Sequence, residues 1–314
     1  MTVAAWPQIV VLGAGAVGCY FGGMLARAGA PVTFIGRPAF VKAAADGLLL
    51  ETLTFQERFP IRAESNISCL GEAAIVLLAV KTLDTETAAR ELAPHIAPDA
   101  TLISLQNGVD NVERIRKAIG LEAIATVVYV AAAMEGPAHV KHVGRGDLVA
   151  GLFPRNDSER GARAEEQLQQ AADIFRRANI PCRISANIQA ELWTKLVINC
   201  AYNAISALSL ARYGRIQHDA GTHELMRRVT EEALAVARAV GIELSGPQLL
   251  ESVFKLGTVM PEALSSTAQD VVRGKHTEIE SLNGYLLHCG QKLGVDVPVN
   301  QTLYALMKLR EDSF

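Results

Sequence analysis

Short apolar runs alternate with helix-forming stretches through the first half of the chain. Each run lacks a polar face and ends at glycines or polar residues. Strands of this kind are buried on both faces, so the pattern predicts a parallel sheet covered by helices. The predicted strands cover residues 9–12, 32–35, 74–80, 101–105 and 123–130, with antiparallel strands within 136–152 finishing the sheet.

From about residue 185 the apolar positions recur only at helical intervals. Gly241 and Gly294 follow two of the predicted helices, where a glycine ends a helix in the left-handed conformation. The predicted helices cover residues 188–210, 221–240, 247–256, 277–293 and 301–309.

A glycine turn links the first predicted strand to the first predicted helix. It reads Gly13-Ala14-Gly15-Ala16-Val17-Gly18. Gly13 permits the tight turn, Gly15 leaves room for a pyrophosphate, and Gly18 lets helix and strand pack closely. The phosphates would contact free N–H groups at the positive end of a helix. In this strand–turn–helix context the motif predicts dinucleotide binding, the alternative being a turn with a structural role only.

The predicted fold class is therefore α/β. An N-terminal Rossmann-type doubly wound sheet that binds NADP covers residues 1–185, and an all-helical C-terminal domain that holds the substrate and catalytic residues covers 186–314.

The end of the second strand indicates which dinucleotide binds. An NAD site usually offers an acid there for the ribose hydroxyls. This chain has no acid between Gly29 and Ala45, and it has Arg37 instead. A guanidinium can make forked, charge-assisted contacts with a 2′-phosphate, and Lys42 could assist, so the predicted cofactor is NADPH. The alternative is that Arg37 is a solvated loop residue.

Two further loops follow the third and fourth predicted strands. They should line the crevice in which the dinucleotide binds, at the carboxyl ends of the strands. Lys81 follows the third strand, and Asn107 with Gly108 follows the fourth. Asp110 and Glu113 have the spacing of a capping box for the next helix.

A polar stripe marks the helix predicted at 188–210. Lys195, Asn199 and Asn203 recur every four residues, so they share one face of an otherwise apolar helix. Unpaired, such groups would be costly to bury, and a bound polar ligand is one candidate partner. A lysine beside a nicotinamide could donate a proton to a carbonyl as hydride arrives. Alternatively, Lys195 reaches the surface and the asparagines bond to neighbouring loops.

Composition narrows the function classes. Of 314 residues, 50% are hydrophobic and 20% charged, and the net charge is -3. This disfavours nucleic acid or an anionic membrane as partner. The five cysteines lack metal-site spacing, so we expect reduced thiols and no metal. Residues 1–8 do not resemble a signal peptide, so we expect a cytoplasmic protein.

These motifs occur together with the segments Glu191-Leu192-Trp193-x-Lys195 and Lys275-His276-Thr277-Glu278. In this order they resemble the ketopantoate reductase (2-dehydropantoate 2-reductase) family over nearly the whole chain. The resemblance implies an oxidoreductase that reduces ketopantoate to (R)-pantoate with NADPH, in pantothenate biosynthesis.

The resemblance also implies residue roles. Lys195 matches the catalytic lysine that protonates the nascent alkoxide, and Glu278 matches a glutamate that positions lysine and substrate. Asn199, Asn203 and Ser266 match substrate-binding residues, and Asn107 matches a residue at the junction of cofactor and substrate. Lys81 matches a phosphate or nicotinamide contact, and Arg37 the 2′-phosphate reader. From spacing alone, Glu278 falls on a helix face with Ser281, Leu282 and Tyr285.

Two positions depart from the family pattern. Asparagines are expected at positions 213 and 263, where this chain has Tyr213 and Ala263. Loss of these polar contacts would weaken recognition of a substrate hydroxyl. A sister reductase of another 2-keto or 3-keto acid therefore stays open, as does a non-catalytic NADPH-binding sensor. The helical second domain is also compatible with a homodimer.

Overall fold

The computed structural model describes residues 5–154 and 158–314. Residues 1–4, where the stretch searched for a signal peptide begins, lie outside that description. The chain divides into two compact units, Met1–Ile188 and Gln189–Phe314. The roles predicted for residues 1–185 and 186–314 stay predictions.

The described part of the first unit is built on a ten-stranded sheet. The strands are β1 (Ile9–Leu12), β2 (Val32–Ile35), β3 (Leu48–Glu51), β4 (Gln56–Phe59), β5 (Arg62–Glu64), β6 (Ile75–Leu78), β7 (Thr101–Ser104), β8 (Ile124–Gly136), β9 (His139–Gly151) and β10 (Cys182–Ile184). The helices of this unit are α1 (Ala16–Arg27), α2 (Pro38–Ala44), α3 (Thr85–Leu92), α4 (Asn111–Ile119) and α5 (Ser158–Arg177), with 3₁₀ helices at Ile67–Glu72 and Thr82–Asp84.

The strand order places a switch point at β1. The order is β4-β3-β9-β8-β7-β6-β1-β2-β5, with β10 beside β9. Strands β2 and β6 flank β1 on opposite sides and run parallel to it. After β2 the chain forms β3 and β4 at the far edge beside β9, returns to β5 beside β2, and then crosses to β6 on the other side of β1. In open α/β sheets, ligands bind at the carboxyl ends of strands beside such a point. The predicted Rossmann-type doubly wound sheet is confirmed.

Several elements of the sheet were not predicted from the sequence. Strands β1 and β2 have their predicted bounds. Residues 136–152 hold the end of β8 and one further strand, β9, which pairs antiparallel with β8, rather than several strands of their own. Strand β9 does not finish the sheet as predicted, because β3 and β4 lie beyond it. Strands β3, β4, β5 and β10 were missed. Gln56–Phe59 is mostly exposed and Arg62–Glu64 is only 3 residues long, so neither has an apolar period to detect.

The sheet and α1 form the core of the first unit. Phe21 and Leu25 of α1 and Phe34 of β2 are fully buried. A Cβ at Gly22 would lie 2.7 Å from the ring of Phe34, so glycine lets α1 pack tightly on the sheet. Each such aromatic or leucine side chain contributes about 1.5–3 kcal/mol on burial. This packing fixes where α1 begins, beside the end of β1.

The second unit is helical among its described residues. Its helices are α6 (Ile188–Ser209, whose first residue belongs to the first unit), α7 (Tyr213–His218), α8 (Ala220–Ala239), α9 (Gly246–Val259), α10 (Ser266–Val272), α11 (Asn283–Leu293) and α12 (Pro298–Glu311). Gly241 and Gly294 have φ values of +82° and +69° after α8 and α11, so their predicted role in ending helices is confirmed. No helix of the described chain is long and apolar enough to cross a membrane.

The helix predicted over residues 277–293 is interrupted. A 3₁₀ helix covers Ile279–Ser281, Leu282 has φ -113° and ψ -104°, and α11 begins at Asn283. The break lets the buried Asn283 amide donate to Asn300 Oδ1 at 2.9 Å, a contact that spacing cannot reveal. The prediction that Glu278, Ser281, Leu282 and Tyr285 share one continuous helix face is therefore wrong.

Candidate active site

The glycine turn runs from the end of β1 into α1. Gly13 has φ +111°, and a Cβ there would lie 2.6 Å from the carbonyl carbon of Ala79. The Gly13 N–H donates to the Ile35 carbonyl oxygen at 3.1 Å. The turn thus packs against the ends of both β6 and β2, and position 13 requires glycine.

Gly18 and Gly15 meet different surroundings. A Cβ at Gly18 would overlap the Gly13 carbonyl oxygen, so this glycine is needed for packing of the helix against the turn. A Cβ at Gly15 would meet no described atom within 4 Å, and Gly15 is exposed. Among the described residues no side chain hydrogen-bonds to the start of α1. The space at Gly15 and the uncapped helix start fit a pyrophosphate.

Arg37 lies at the same edge of the sheet. It is exposed and precedes α2 as its N-cap, two residues after β2 ends. A Cβ at the intervening Gly36 would lie 2.9 Å from the Cβ of Ala14, so the end of β2 packs directly on the glycine turn. This is the sheet edge where the ribose of a dinucleotide binds in such folds.

Hydrogen bonds join the segments that carry Lys81 and Asn107. The Thr82 hydroxyl donates to the Asn107 carbonyl oxygen at 2.6 Å. The Asn111 side-chain amide donates to the same oxygen, also at 2.6 Å. Because Lys81 directly precedes Thr82, the two predicted site residues lie on adjacent, tied segments. The spacing of four between the asparagines was a signal that sequence reasoning overlooked.

A buried polar network lies beneath these segments. Gln106 Nε2 donates to the Thr85 hydroxyl at 2.8 Å and to the Val80 carbonyl oxygen at 3.2 Å. The Thr85 hydroxyl in turn contacts Asn111 Oδ1 at 2.9 Å. Thr85, Gln106 and Asn111 are all buried. Buried polar groups that are fully paired hold the backbone in one arrangement, so the network fixes the ends of β6 and β7.

The capping box predicted at Asp110 and Glu113 is absent. Asp110 is the N-cap of α4 but accepts no capping hydrogen bond with its side chain. Its carboxylate lies 3.9 Å from the guanidinium of Arg114 instead. Burial raises the pKa of Asp110, and Arg114 opposes that shift.

The polar stripe lies on the long helix α6. Lys195, Asn199 and Asn203 stand at intervals of four, so they share one face. Asn203 is 3% exposed, while Lys195 and Asn199 are partly buried. Residues flanking the stripe are core residues, among them Leu196 and Val197. The stripe thus places three polar side chains on a helix whose neighbouring residues are packed in the core.

The start of α10 is attached to α6 beside Asn203. The Ser265 hydroxyl donates to the Asn203 carbonyl oxygen at 3.3 Å, and the Ser265 N–H donates to the Ser206 hydroxyl at 3.3 Å. Ser265 also caps α10, accepting from the Ala268 N–H at 3.0 Å. Ser266, the predicted substrate contact, is the exposed first residue of α10 and adjoins the stripe through this attachment.

Glu278 directly follows Thr277, which is hydrogen-bonded to Glu311 of α12. Glu311 is 4% exposed and accepts hydrogen bonds at 2.6 Å from both the N–H and the hydroxyl of Thr277. Lys308 Nζ lies 3.1 Å from the other oxygen of the carboxylate. Burial acts to raise the pKa of Glu311, but these hydrogen bonds outweigh it and the pKa is lowered. The Glu311 carboxylate thus anchors the segment that presents Glu278.

Tyr213 lies against the same region of α6. Its ring stands 4.6 Å, centroid to centroid, from the ring of Tyr202, which precedes Asn203. Burial, and to a lesser extent Tyr202, raise the pKa of Tyr213. The Tyr202 hydroxyl donates to the Val253 carbonyl oxygen at 2.9 Å, which fixes this aromatic pair on the core.

The predicted residues divide into two sets, each within one unit. The cofactor set is Gly13, Ala14, Gly15, Ala16, Val17, Gly18, Arg37, Lys81 and Asn107. The substrate set is Lys195, Asn199, Asn203, Ser266 and Glu278. Within the described ranges no group of three or more His, Cys, Asp or Glu side chains could hold a metal ion. The roles of both sets stay predictions.

Comparison with protein families covers both units. The model of "Ketopantoate reductase PanE/ApbA" matches residues 9–155, and that of its C-terminal domain matches residues 187–311.

The chain belongs to the ketopantoate reductase family.

Relatives within this family match almost end to end. The 2-dehydropantoate 2-reductase of Pyrococcus abyssi is 30% identical, over 97% of this chain and 98% of that protein. The one from Vibrio cholerae is also 30% identical, over 98% and 99%. The family consists of oxidoreductases, which defines the class of enzyme to which this chain belongs.

Solved structures give the same result. A PanE/ApbA family ketopantoate reductase from Ralstonia eutropha has a TM-score of 0.89 and 44% identity, covering 98% of this chain and 99% of that one. A D-mandelate dehydrogenase, solved with NADH and anilino(oxo)acetate, also has a TM-score of 0.89 but 23% identity, over 98% and 99%. The second likeness is one of fold alone.

Proposed function

We propose that this chain reduces ketopantoate to (R)-pantoate with NADPH, a step of pantothenate biosynthesis. The observation that carries the proposal is the stripe of Lys195, Asn199 and Asn203 on one face of α6. It supplies a proton donor and two amides in a chain whose halves both match the ketopantoate reductase family.

The proposed reaction converts a ketone to a secondary alcohol. NADPH, when bound, would supply the hydride that the keto carbon accepts. Lys195 donates a proton from Nζ to the carbonyl oxygen, so the C=O bond becomes CH–OH and the ammonium becomes an amine that water reprotonates. General acids of this kind accelerate reactions by about 10²–10⁴-fold.

The other members of the substrate set bind and orient the keto acid. Asn199 and Asn203 offer amide donors on the same helix face as Lys195. Ser266 offers a hydroxyl for the substrate carboxylate at the start of α10, which is attached to α6 through Ser265. Glu278 positions the lysine and the substrate.

The cofactor set supports a nicotinamide dinucleotide, and we propose NADPH in particular. The backbone of Gly13–Gly18 would hold the pyrophosphate, and Arg37 the 2′-phosphate, because a guanidinium makes paired hydrogen bonds with phosphate oxygens. Lys81 would contact a phosphate or the nicotinamide, and Asn107 would lie beside both cofactor and substrate.

A steady-state assay tests the proposed function. Purified protein is mixed with NADPH and ketopantoate, and the loss of NADPH absorbance is followed with pantoate identified as product. We expect turnover only when both are present. Tight NADPH binding without turnover on any keto acid would instead identify a non-catalytic NADPH sensor.

A sister reductase is the second candidate, and Tyr213 with Ala263 favours it. An aromatic ring and a methyl group stand at two positions where the resemblance implies asparagines, beside the start of α10. A substrate without a hydroxyl would then be reduced faster than ketopantoate.

The homodimer stays a prediction. A ketopantoate reductase from Staphylococcus aureus, 23% identical to this chain, is described as dimeric. Size-exclusion chromatography with light scattering would give the mass of this protein in solution.

A further inference from the structure

Glu64 lies beside the end of β2, although it is far from β2 along the chain. Strand β5 pairs with β2 in parallel, and Glu64 is the register partner of Ile35. The Gly36 N–H donates to the Glu64 carbonyl oxygen at 3.0 Å. Since Arg37 follows Gly36, Glu64 lies at the same sheet edge as Arg37, one strand further out.

The position of Glu64 matters for the choice of dinucleotide. An acid at this edge is the usual device for holding the ribose hydroxyls of NAD. The same negative charge would repel the 2′-phosphate of NADP, because charges within a Debye length of about 10 Å are only partly screened by salt. An unpaired Glu64 would therefore oppose Arg37.

Glu64 is paired with Arg62 on its own strand. Arg62 Nε donates to Glu64 Oε1 at 2.8 Å, and Arg62 Nη2 lies 2.6 Å from the same oxygen. Residues two apart on a strand share a face, so the pair needs no distortion. The hydrogen bond to Glu64 raises the pKa of Arg62. The side chains are 29% exposed at Glu64 and 59% at Arg62, so solvent and cofactor could reach both.

We propose that Arg62 determines dinucleotide specificity by neutralising Glu64, which keeps the carboxylate from selecting NADH and lets Arg37 select NADPH. The inference rests on the proposed NADPH dependence. It assigns Arg62 a positioning role that acts through Glu64, and it needs no contact between Arg62 and the cofactor.

Binding measurements on four variants test this inference. Dissociation constants for NADPH and for NADH are measured by calorimetry, without substrate, for Arg62→Ala, Glu64→Gln and the double variant. Arg27→Ala is the matched control, because it breaks the surface pair between Arg27 and Glu57, whose Nε–Oε2 distance is 2.6 Å. The ratio of the two constants in one protein is insensitive to a general loss of folded material.

We expect Arg62→Ala to lower the preference for NADPH over NADH about fivefold, the range of a surface charge pair. Glu64→Gln should keep or raise the preference, and the double variant should return close to the wild type. Arg27→Ala should leave the ratio unchanged, and high salt should reduce the effect of Arg62→Ala.

Three outcomes would overturn the inference. The first is an unchanged ratio of the two dissociation constants in Arg62→Ala. The second is an equal loss of NADPH preference in Arg62→Ala and the double variant, and the third is a loss of NADPH preference in Glu64→Gln. If the wild type prefers NADPH and Arg37→Ala removes that preference, such a result leaves the proposed cofactor intact. A wild type without preference for NADPH would overturn the proposed cofactor and this inference together.

Discussion

The backbone N–H of Tyr213 donates a hydrogen bond to the carbonyl oxygen of Ala263 at 3.0 Å. The Gly214 N–H likewise donates to the Pro261 carbonyl oxygen at 2.9 Å. The two positions that depart from the family pattern are thus direct neighbours, held by the backbone. Because they adjoin one another, we expect their side chains to act on the same part of a substrate.

Restoring the amides at these positions should change the choice of keto acid. In the double variant Tyr213→Asn/Ala263→Asn we expect the kcat/KM ratio of ketopantoate to 3,3-dimethyl-2-oxobutanoate, which lacks only the hydroxyl, to rise about fivefold, since one new hydrogen bond to the substrate hydroxyl contributes about 1 kcal/mol. Rates on both acids with NADPH give the ratio. An unchanged ratio in a folded variant would remove these positions from the determinants of specificity.

Removing the proposed proton donor should greatly slow turnover and leave the affinity for the cofactor unchanged. Lys195→Ala should lower kcat by about 10²-fold or more, because general acid catalysis is removed, while the dissociation constant for NADPH stays near that of the wild type. Lys255→Ala is the control, since Lys255 is an exposed lysine on α9 of the same unit. Full activity in Lys195→Ala would contradict the assigned role.

The 2′-phosphate should be bound through Arg37. Arg37→Ala should weaken NADPH by about tenfold or more and NADH little, because a charge-assisted contact contributes about 1.5–3 kcal/mol. Arg116, an exposed arginine on α4, gives the matched control Arg116→Ala. Fluorescence titration with both cofactors measures the difference. Equal losses for NADPH and NADH would contradict phosphate recognition.

Substitutions at Gly15 and Gly18 should have different effects, one on cofactor binding and the other on stability. Gly18→Ala should lower the free energy of unfolding by about 1–3 kcal/mol, because its Cβ would overlap the Gly13 carbonyl oxygen. Gly15→Ala should fold normally, since its Cβ meets no described atom within 4 Å, and should weaken NADPH by occupying the space for the pyrophosphate. Urea unfolding and NADPH titration of both variants check this, and unchanged NADPH affinity in Gly15→Ala would argue against the phosphate site.

Glu311 should contribute stability that depends on pH. Its pKa is lowered in the folded protein, so its contribution is present above the pKa of the unfolded chain and is lost as pH falls through the folded value. Glu311→Gln should cost about 1–2 kcal/mol at neutral pH, and the difference from wild type should shrink in acid. Urea unfolding across pH measures it, with the exposed Glu262→Gln as control. A difference that grows in acid would contradict the lowered pKa.

The sequence alone determined the features that depend on neighbours along the chain. The glycine turn, strands β1 and β2, and the common face of Lys195, Asn199 and Asn203 follow from local spacing, because backbone sterics and helical or strand periods act over a few residues. The family pattern added roles for residues that spacing could not connect.

Only the tertiary structure decided the contacts between distant segments. It placed Glu64 beside Gly36, paired Tyr213 with Ala263, and broke the predicted helix at Leu282. Short polar strands such as β5 carry no period of their own, and their partners are set by register within a sheet. Hydrogen bonding across such segments depends on the packing of the whole unit, which is why reading along the chain found Arg37 but not Glu64, whose carbonyl oxygen accepts from the Gly36 N–H.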